Sequence, residues 1–324
     1  MENLTLFTNQ SECYVVDTAL RRRLFLIYYL VVIIVAIPAN AFSLCISWMH
    51  IRQKNNLGVY LFSLAFSGLT FTIGLSLWLD FLWTGYWTHG GYVCLLSVYS
   101  LFTNFYTSEA LLCCIAVSRY LAVVHPLKYT FLRKINTAAA VTASIWVSVI
   151  CFNACTITWE DSYQESNIFP LCYDVILPLS EHMARANVAR FFLGLVIPVP
   201  LVFVSTWGTC MAVKSNQATN EEERLTVLKL LTVILLGLLF CFGPIHVMML
   251  VRTQCNNCEG LKWFLHVYKI STAISSFNCL VDPLLYCFIT KTAKAHFKQV
   301  LLFFLRKQNT SEESTPSEVQ NTTE

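Results

Sequence analysis

Seven long apolar stretches alternate with short polar ones along the chain. They run roughly Leu24–Trp48, Leu57–Leu82, Tyr92–Val117, Ile135–Thr158, Val188–Val213, Leu225–Val251 and Leu261–Ile289. Each is long enough to cross about 30 Å of hydrocarbon as a helix. No aqueous core hides seven such segments, and helices satisfy their own backbone groups in lipid. The pattern predicts an all-α integral membrane protein, a seven-transmembrane helix bundle over residues 24–290. Residues 1–23 read as an extracellular N-terminus. Past the last span, Phe297, Val300, Leu301 and Phe304 recur at helical spacing among lysines. That predicts an amphipathic helix over 291–307 lying on the inner leaflet. Residues 308–324 are rich in Ser, Thr and Glu and read as a disordered cytoplasmic tail.

Composition agrees with the pattern. Of 324 residues, 56% are hydrophobic and 13% charged, where a soluble protein of this length carries roughly 25% charged residues. A net charge of +3 with no basic aromatic stripe argues against nucleic acid. The first apolar run is of full span length, so no cleavable leader is expected. Orientation follows the short-loop cations. Arg52 and Lys54, then Arg119, Lys128, Arg133 and Lys134, then the lysines after span seven, mark one side as cytoplasmic. Glu160, Asp161, Glu165, Asp174 and Glu181 mark the other as outside; Arg21, Arg22 and Arg23 oppose this and are outvoted. Two glycosylation sequons, at Asn3 and Asn9, favour an extracellular N-terminus. Most of the 14 cysteines lie in apolar runs, where a thiol behaves as a small hydrophobe. Cys255 and Cys258 form a lone C-x-x-C with no second ligand pair, so neither metal nor cofactor is expected.

The motifs within the spans come in a telling order. Asn40 follows Ile37-Pro38-Ala39 in span one. Cys94 opens span three, and Ser118-Arg119-Tyr120 closes it. Trp146 lies in span four and Pro198 in span five. Span six carries Cys241-Phe242-Gly243-Pro244, and span seven carries Asn278 through Val281-Asp282-Pro283 to Tyr286. Together these resemble the rhodopsin-like (class A) seven-helix receptors. Leu57-Gly58-Val59-Tyr60-Leu61, Cys113-Cys114-Ile115 and Phe242-Gly243-Pro244-Ile245-His246 are similar to the proton-sensing and lysolipid-associated group of that family. The resemblance implies a receptor, not an enzyme, that passes an extracellular signal (protons or a small or lipid ligand) to heterotrimeric G proteins. It implies arrestin as a further partner through the tail hydroxyls. It implies a Cys94–Cys172 disulfide; Cys13–Cys258 is a second expected pair, with Cys255 competing. Arg119 and Tyr120 would face the G protein. Phe242, Pro244, Asp282, Pro283 and Tyr286 would form the activation hinge, since proline frees a backbone hydrogen bond and permits a kink.

Departures from the family are equally informative. Ser118 stands where the family has aspartate before the arginine, so the resting lock on Arg119 is expected to be weaker. Gly68 stands where span two carries an aspartate, and Val149 where acid sensors carry a glutamate. Of the family's buried acids only Asp282 remains, which opens both sodium binding and proton sensing to question. Glu109 is the one acid inside span three. It is expected to face the bundle, because a charge facing lipid at that depth is costly, and either to stay protonated against a backbone carbonyl or to form with Asp282, Asn40 and Asn278 a polar core that titrates. Asn104 and Ser108 are nearby candidates. Histidine changes charge between about pH 5 and 8, so His89, His246 and His266, with His182, are candidate pH sensors at the outer surface. The same residues also read as ordinary loop histidines. A transporter would show an internal repeat, and Gly74-Leu75-Ser76 is too common to mark a protease. The remaining rival is a seven-helix decoy or scavenger that binds without signalling.

Overall fold

The computed structural model describes residues 13–14, 18–125, 127–128, 130–158, 172, 175–176, 179–214, 221–255 and 258–289. Spans one to four are single helices: α1 (Ala19–Arg52), α2 (Asn56–Thr84), α3 (Gly90–Val124) and α4 (Ile135–Thr158). Span five is α5 (Glu181–Phe191), a π-helical turn (Phe192–Val196) and α6 (Pro198–Lys214). Span six repeats that design in α7 (Glu221–Gly237), a π turn (Leu238–Phe242) and α8 (Gly243–Arg252). Span seven is α9 (Cys258–Ser276) and α10 (Asn278–Ile289), broken at Phe277. Six of these rods are long and apolar enough to cross a membrane, among the described residues. The seventh is divided, and α9 carries Lys262 and Lys269. Expected and observed spans differ mainly in the ends, which run several residues past the apolar runs.

Capping explains where the helices start. Thr18, Asn55 and Ser180 each accept a hydrogen bond from a first-turn backbone N–H of α1, α2 and α5. Gly85 ends α2 in the left-handed conformation, at φ 87°.

The spans close around one interior. α1 packs on α2 and α10, α2 on α3 and α4, α3 on α6 and α7, and α8 on α5 and α9. Phe105, Leu111, Leu112, Ile115, Leu231 and Phe242 are among the side chains that fill the centre. The outside is as apolar as the inside, as lipid requires: Ile34, Phe66, Val204 and Trp207 are exposed. In the apolar window of α4 only 11% of residues are buried, against 61% in α2, so span four is peripheral and span two central. Span four is pinned to span two by Trp146, whose indole donates to Ser63 Oγ at 2.7 Å.

One end of the bundle carries a lid. Cys94 and Cys172 are joined, with Cα atoms 5.6 Å apart, and pack against Phe81 and Trp87. Beside them β1 (Cys13–Tyr14) pairs antiparallel with β2 (Val175–Ile176), a two-residue ladder that the all-α expectation did not contain. We call this the outer end. Cys13 lies in β1 and Cys258 opens α9, but their side chains lie outside the described residues, as do Asn3, Asn9, the 291–307 helix and the tail.

Candidate functional site: a buried carboxylate and imidazole

The two π turns face each other, and the site is built on that. A π turn widens the helix by one residue and often marks function. Here each precedes a proline, Pro198 and Pro244, whose missing N–H already interrupts the ladder. Gly194 lies in the first turn. The imidazole of His246, two residues beyond Pro244, occupies the space where a Cβ on Gly194 would fall. Glycine is therefore required by close approach.

His246 is fully buried, and its Nε2 lies 2.5 Å from Oε1 of Glu109, itself 2% exposed. Tyr106, one turn earlier on α3, sets its ring 5.8 Å from the imidazole and points its hydroxyl at Met249 Sδ, 3.7 Å away. Below, Phe105 meets Phe242 edge to face at 5.9 Å. Glu109 Oε2 and His246 Nδ1 have no hydrogen-bond partner among the described residues. This corrects the surface assignment of His246. It sits six residues before Arg252, about 9 Å along the helix, and so lies within the bundle. It also supplies Glu109 with a partner other than the asparagines and Asp282 expected from helical depth.

Those expected partners form a separate cluster. Asn40 Nδ2 donates to Cys279 O and Ala36 O, each at 2.9 Å. Cys279 is four residues before Pro283, which has no N–H to offer it, so Asn40 satisfies a carbonyl the proline leaves open. Gly68 makes room: a Cβ there would lie 2.7 Å from Asn40 Oδ1. Asn278 Nδ2 donates to Asp282 Oδ2 at 2.7 Å, and Asn104 Nδ2 to Ser67 Oγ at 3.0 Å.

The remaining candidates lie at the two ends. At the outer end, His89 Nε2 is 3.1 Å from Asp80 Oδ2 on α2, and His266 Nδ1 is 2.6 Å from a guanidinium nitrogen of Arg21. At the inner end, Arg119 and Ser118 line a cleft of about 520 Å³ with Lys54, Asn55, Asn56 and Thr130. Ser118 Oγ accepts from Asn56 Nδ2 at 3.2 Å, which ties span three to span two. Tyr120 packs where a side chain at Gly208 would be. Phe242, the last residue of the span-six π turn, is buried, and the Tyr286 side chain lies outside the described residues.

Two functional positions escaped the sequence reading. Gly194 carries no sequence signal. Arg190 did, because it is an arginine inside the Val188–Val213 run and intramembrane charges are suspects by default. It is buried against Phe102, with its guanidinium carbon 4.4 Å from the ring centroid.

A seven-helix membrane bundle with a disulfide-pinned outer end, prolines within spans six and seven and an arginine at its inner cleft defines a class of receptor. The profile of the 7 transmembrane receptor (rhodopsin family) matches residues 39–286, and the chain belongs to that family. It is 38% identical over 316 residues to human G-protein coupled receptor 65, covering 93% of each chain. It is 31% identical over 294 residues to human G-protein coupled receptor 68, covering 90% of this chain and 80% of the relative. Human Lysophosphatidic acid receptor 6 is 27% identical over 301 residues, covering 90% and 87%. The sequence resemblance to the proton-sensing and lysolipid-associated group stands on these relatives.

Proposed function

We propose that the protein is a plasma-membrane receptor, N-terminus outside, that passes extracellular acidity to heterotrimeric G proteins. The observation that carries this reading is the Glu109–His246 contact across spans three and six. Two relatives named as G-protein coupled receptors support the output side. The Ser/Thr-rich tail is the segment that would recruit arrestin.

The pair works by charge balance. One proton shared between a carboxylate and an imidazole leaves the pair neutral, whichever group holds it. A second proton makes it cationic, in an interior that already holds the buried Arg190 on span five. A buried net charge is unfavourable, so the doubly protonated pair prefers an arrangement that admits water or separates the cations. His246 sits just beyond Pro244 and the π turn, where span six can bend. Acid therefore favours the bent form by its differential proton affinity. Bending at this level swings the lower half of span six, which packs on span three, at the inner end of the bundle that holds Arg119 and where a G protein would dock. Among the described residues Asp282 has the Asn278 amide as its partner, and its place is to hold the span-seven hinge.

The test is guanine-nucleotide exchange in membranes bearing the receptor, titrated with external pH between about 5 and 8. Wild type should activate as pH falls. Glu109→Gln and His246→Phe should flatten the response, and Asp282→Asn should alter amplitude but keep the midpoint. No pH response in wild type removes protons as the signal. No exchange under any ligand leaves the decoy reading in its place.

A further inference from the structure

At the inner end, one hydroxyl and two cations share a cleft. Thr130 is exposed and opens a four-residue 3₁₀ turn, Thr130–Arg133, beyond the end of span three. The cleft of about 520 Å³ that it lines is also lined by Lys54, between spans one and two, and by Arg119. Two neutral neighbours there are held in place: Asn56 Nδ2 donates to Ser118 Oγ, and Asn55 Oδ1 accepts from Leu57 N at 3.1 Å. Lys54 is held at φ 59°, a conformation that suits glycine and strains a lysine. Its N–H donates to Ile51 O at 2.9 Å and that of Asn55 to His50 O at 3.0 Å, so the turn that closes α1 fixes it there. A strained residue kept at a cleft points to a use for its side chain. Here the strained residue brings an ammonium group to a cleft that already has a guanidinium.

The sequence around Thr130 suits a basophilic protein kinase, whose acidic substrate groove selects bases on both sides of the hydroxyl. Lys128 lies two residues before it, Phe131 follows it, and Arg133 and Lys134 lie three and four residues after. A kinase takes its substrate extended, and a short 3₁₀ turn has poor hydrogen-bond geometry to lose. We propose that Thr130 is a phosphorylation site and that Lys54 and Arg119 receive its phosphate. The γ-phosphoryl group of a nucleoside triphosphate passes to Thr130 Oγ1. Its P–O bond to the β-phosphate breaks, the nucleoside diphosphate leaves, and the hydroxyl proton goes to the base of the kinase. The product carries a charge of about −1.5 to −2 and three acceptor oxygens. A guanidinium fork suits two of these oxygens, and an ammonium group suits the third as a point charge. The phosphate thereby ties the turn after span three to the turn after span one. It also occupies the arginine that the proposed function gives to the G protein, a consequence that rests on that reading and on the inner end facing the cytoplasm.

The test uses the full chain in nanodiscs, treated with ATP and the catalytic fragment of protein kinase C. Peptide mass spectrometry should place phosphate on Thr130 in wild type and on the serine of Thr130→Ser. Modification should raise the unfolding temperature of both by about 2 °C or more, through bonds made in the folded state. Thr130→Ala, given the same treatment, corrects for phosphate added elsewhere on the chain and should show no such gain. Lys54→Gln and Arg119→Gln should be modified as fully as wild type, and each should lose much of the gain. Guanine-nucleotide exchange should fall about fivefold or more in treated wild type and hold steady in treated Thr130→Ala. An unmodified Thr130 overturns the site. Modification without a gain, a gain equal in Thr130→Ala, or a gain that survives Lys54→Gln and Arg119→Gln together overturns the two cations as its partners. Mass spectrometry and unfolding are read with no G protein present, so the phosphate site and the receptor reading fail independently.

Discussion

Glu109 and Asp282 are both carboxylates buried in the bundle, and they keep different company. Glu109 faces an imidazole, across spans three and six, at 2.5 Å. Asp282 faces the amide of Asn278 on its own helix, at 2.7 Å. An imidazole changes charge in the range where extracellular pH varies, and an amide does not. The surroundings differ too. The Glu109 site is assembled from two π turns above proline hinges, where helices bend with little loss of hydrogen bonding. The Asp282 site lies beside a proline whose open carbonyl is already satisfied by Asn40. The same functional group is thus placed once beside the π turns and prolines of spans five and six and once beside the span-seven proline. Burial alone marks neither carboxylate as a sensor. The imidazole partner is what favours Glu109 in the proposed reading.

The contrast breaks most directly at Gly194. Alanine there would drive a methyl into the His246 ring and separate it from Glu109. Removing one partner of a buried ion pair costs about 3–5 kcal/mol, and Gly194→Ala should lose a large part of that. Gly74→Ala is the control, since its Cβ would meet Ser100 Oγ at an ordinary 3.5 Å. The check is a double-mutant cycle read by thermal unfolding. In a Glu109→Gln background, the cost of Gly194→Ala should shrink. An unchanged cost would mean the glycine serves packing alone.

The second site is sharpened at Gly68. Restoring the family's aspartate there should not restore a family site, because Asn40 occupies the space. Gly68→Asp should destabilise by about 1–3 kcal/mol through overpacking. Asn40→Ala alone uncovers the Cys279 carbonyl, a buried acceptor whose loss of partner costs about 1–3 kcal/mol. The double variant should therefore cost less than the sum of the two. Strict additivity would show that Asn40 does not fill the place of the missing acid.

The seven spans were legible because hydrocarbon thickness imposes a length and composition that few other structures share. The Cys94–Cys172 disulfide followed from the family resemblance. What the sequence did not disclose is the pairing. Glu109 and His246 are 137 positions apart, and nothing local to either announces the other. Sequence reasoning grouped Glu109 with Asp282, Asn40 and Asn278 in one polar core, yet it says nothing about helix rotation. Rotation is set by packing, here by a notch at Gly194. Glycine is legible when it caps a helix, as at Gly85, and silent when it only makes room for a neighbour. Arg190 was legible and passed unremarked, lost at the start of an apolar run.

The outer histidines give the smallest effects. His89 lies 3.1 Å from the Asp80 carboxylate, a contact that joins the end of α2 to the start of α3. His266 lies 2.6 Å from a guanidinium nitrogen of Arg21, a contact that joins α1 to α9. Part-exposed pairs are screened by water and salt, and contribute about 0.2–1 kcal/mol each. Asp80→Asn and Arg21→Gln should therefore each change the unfolding temperature by about 2 °C or less. Neither should move the pH midpoint of signalling by more than a fraction of a unit if the buried pair is the sensor. A shift of a full unit from either variant, with Glu109→Gln unaltered, would transfer the sensing role from the core to the rim.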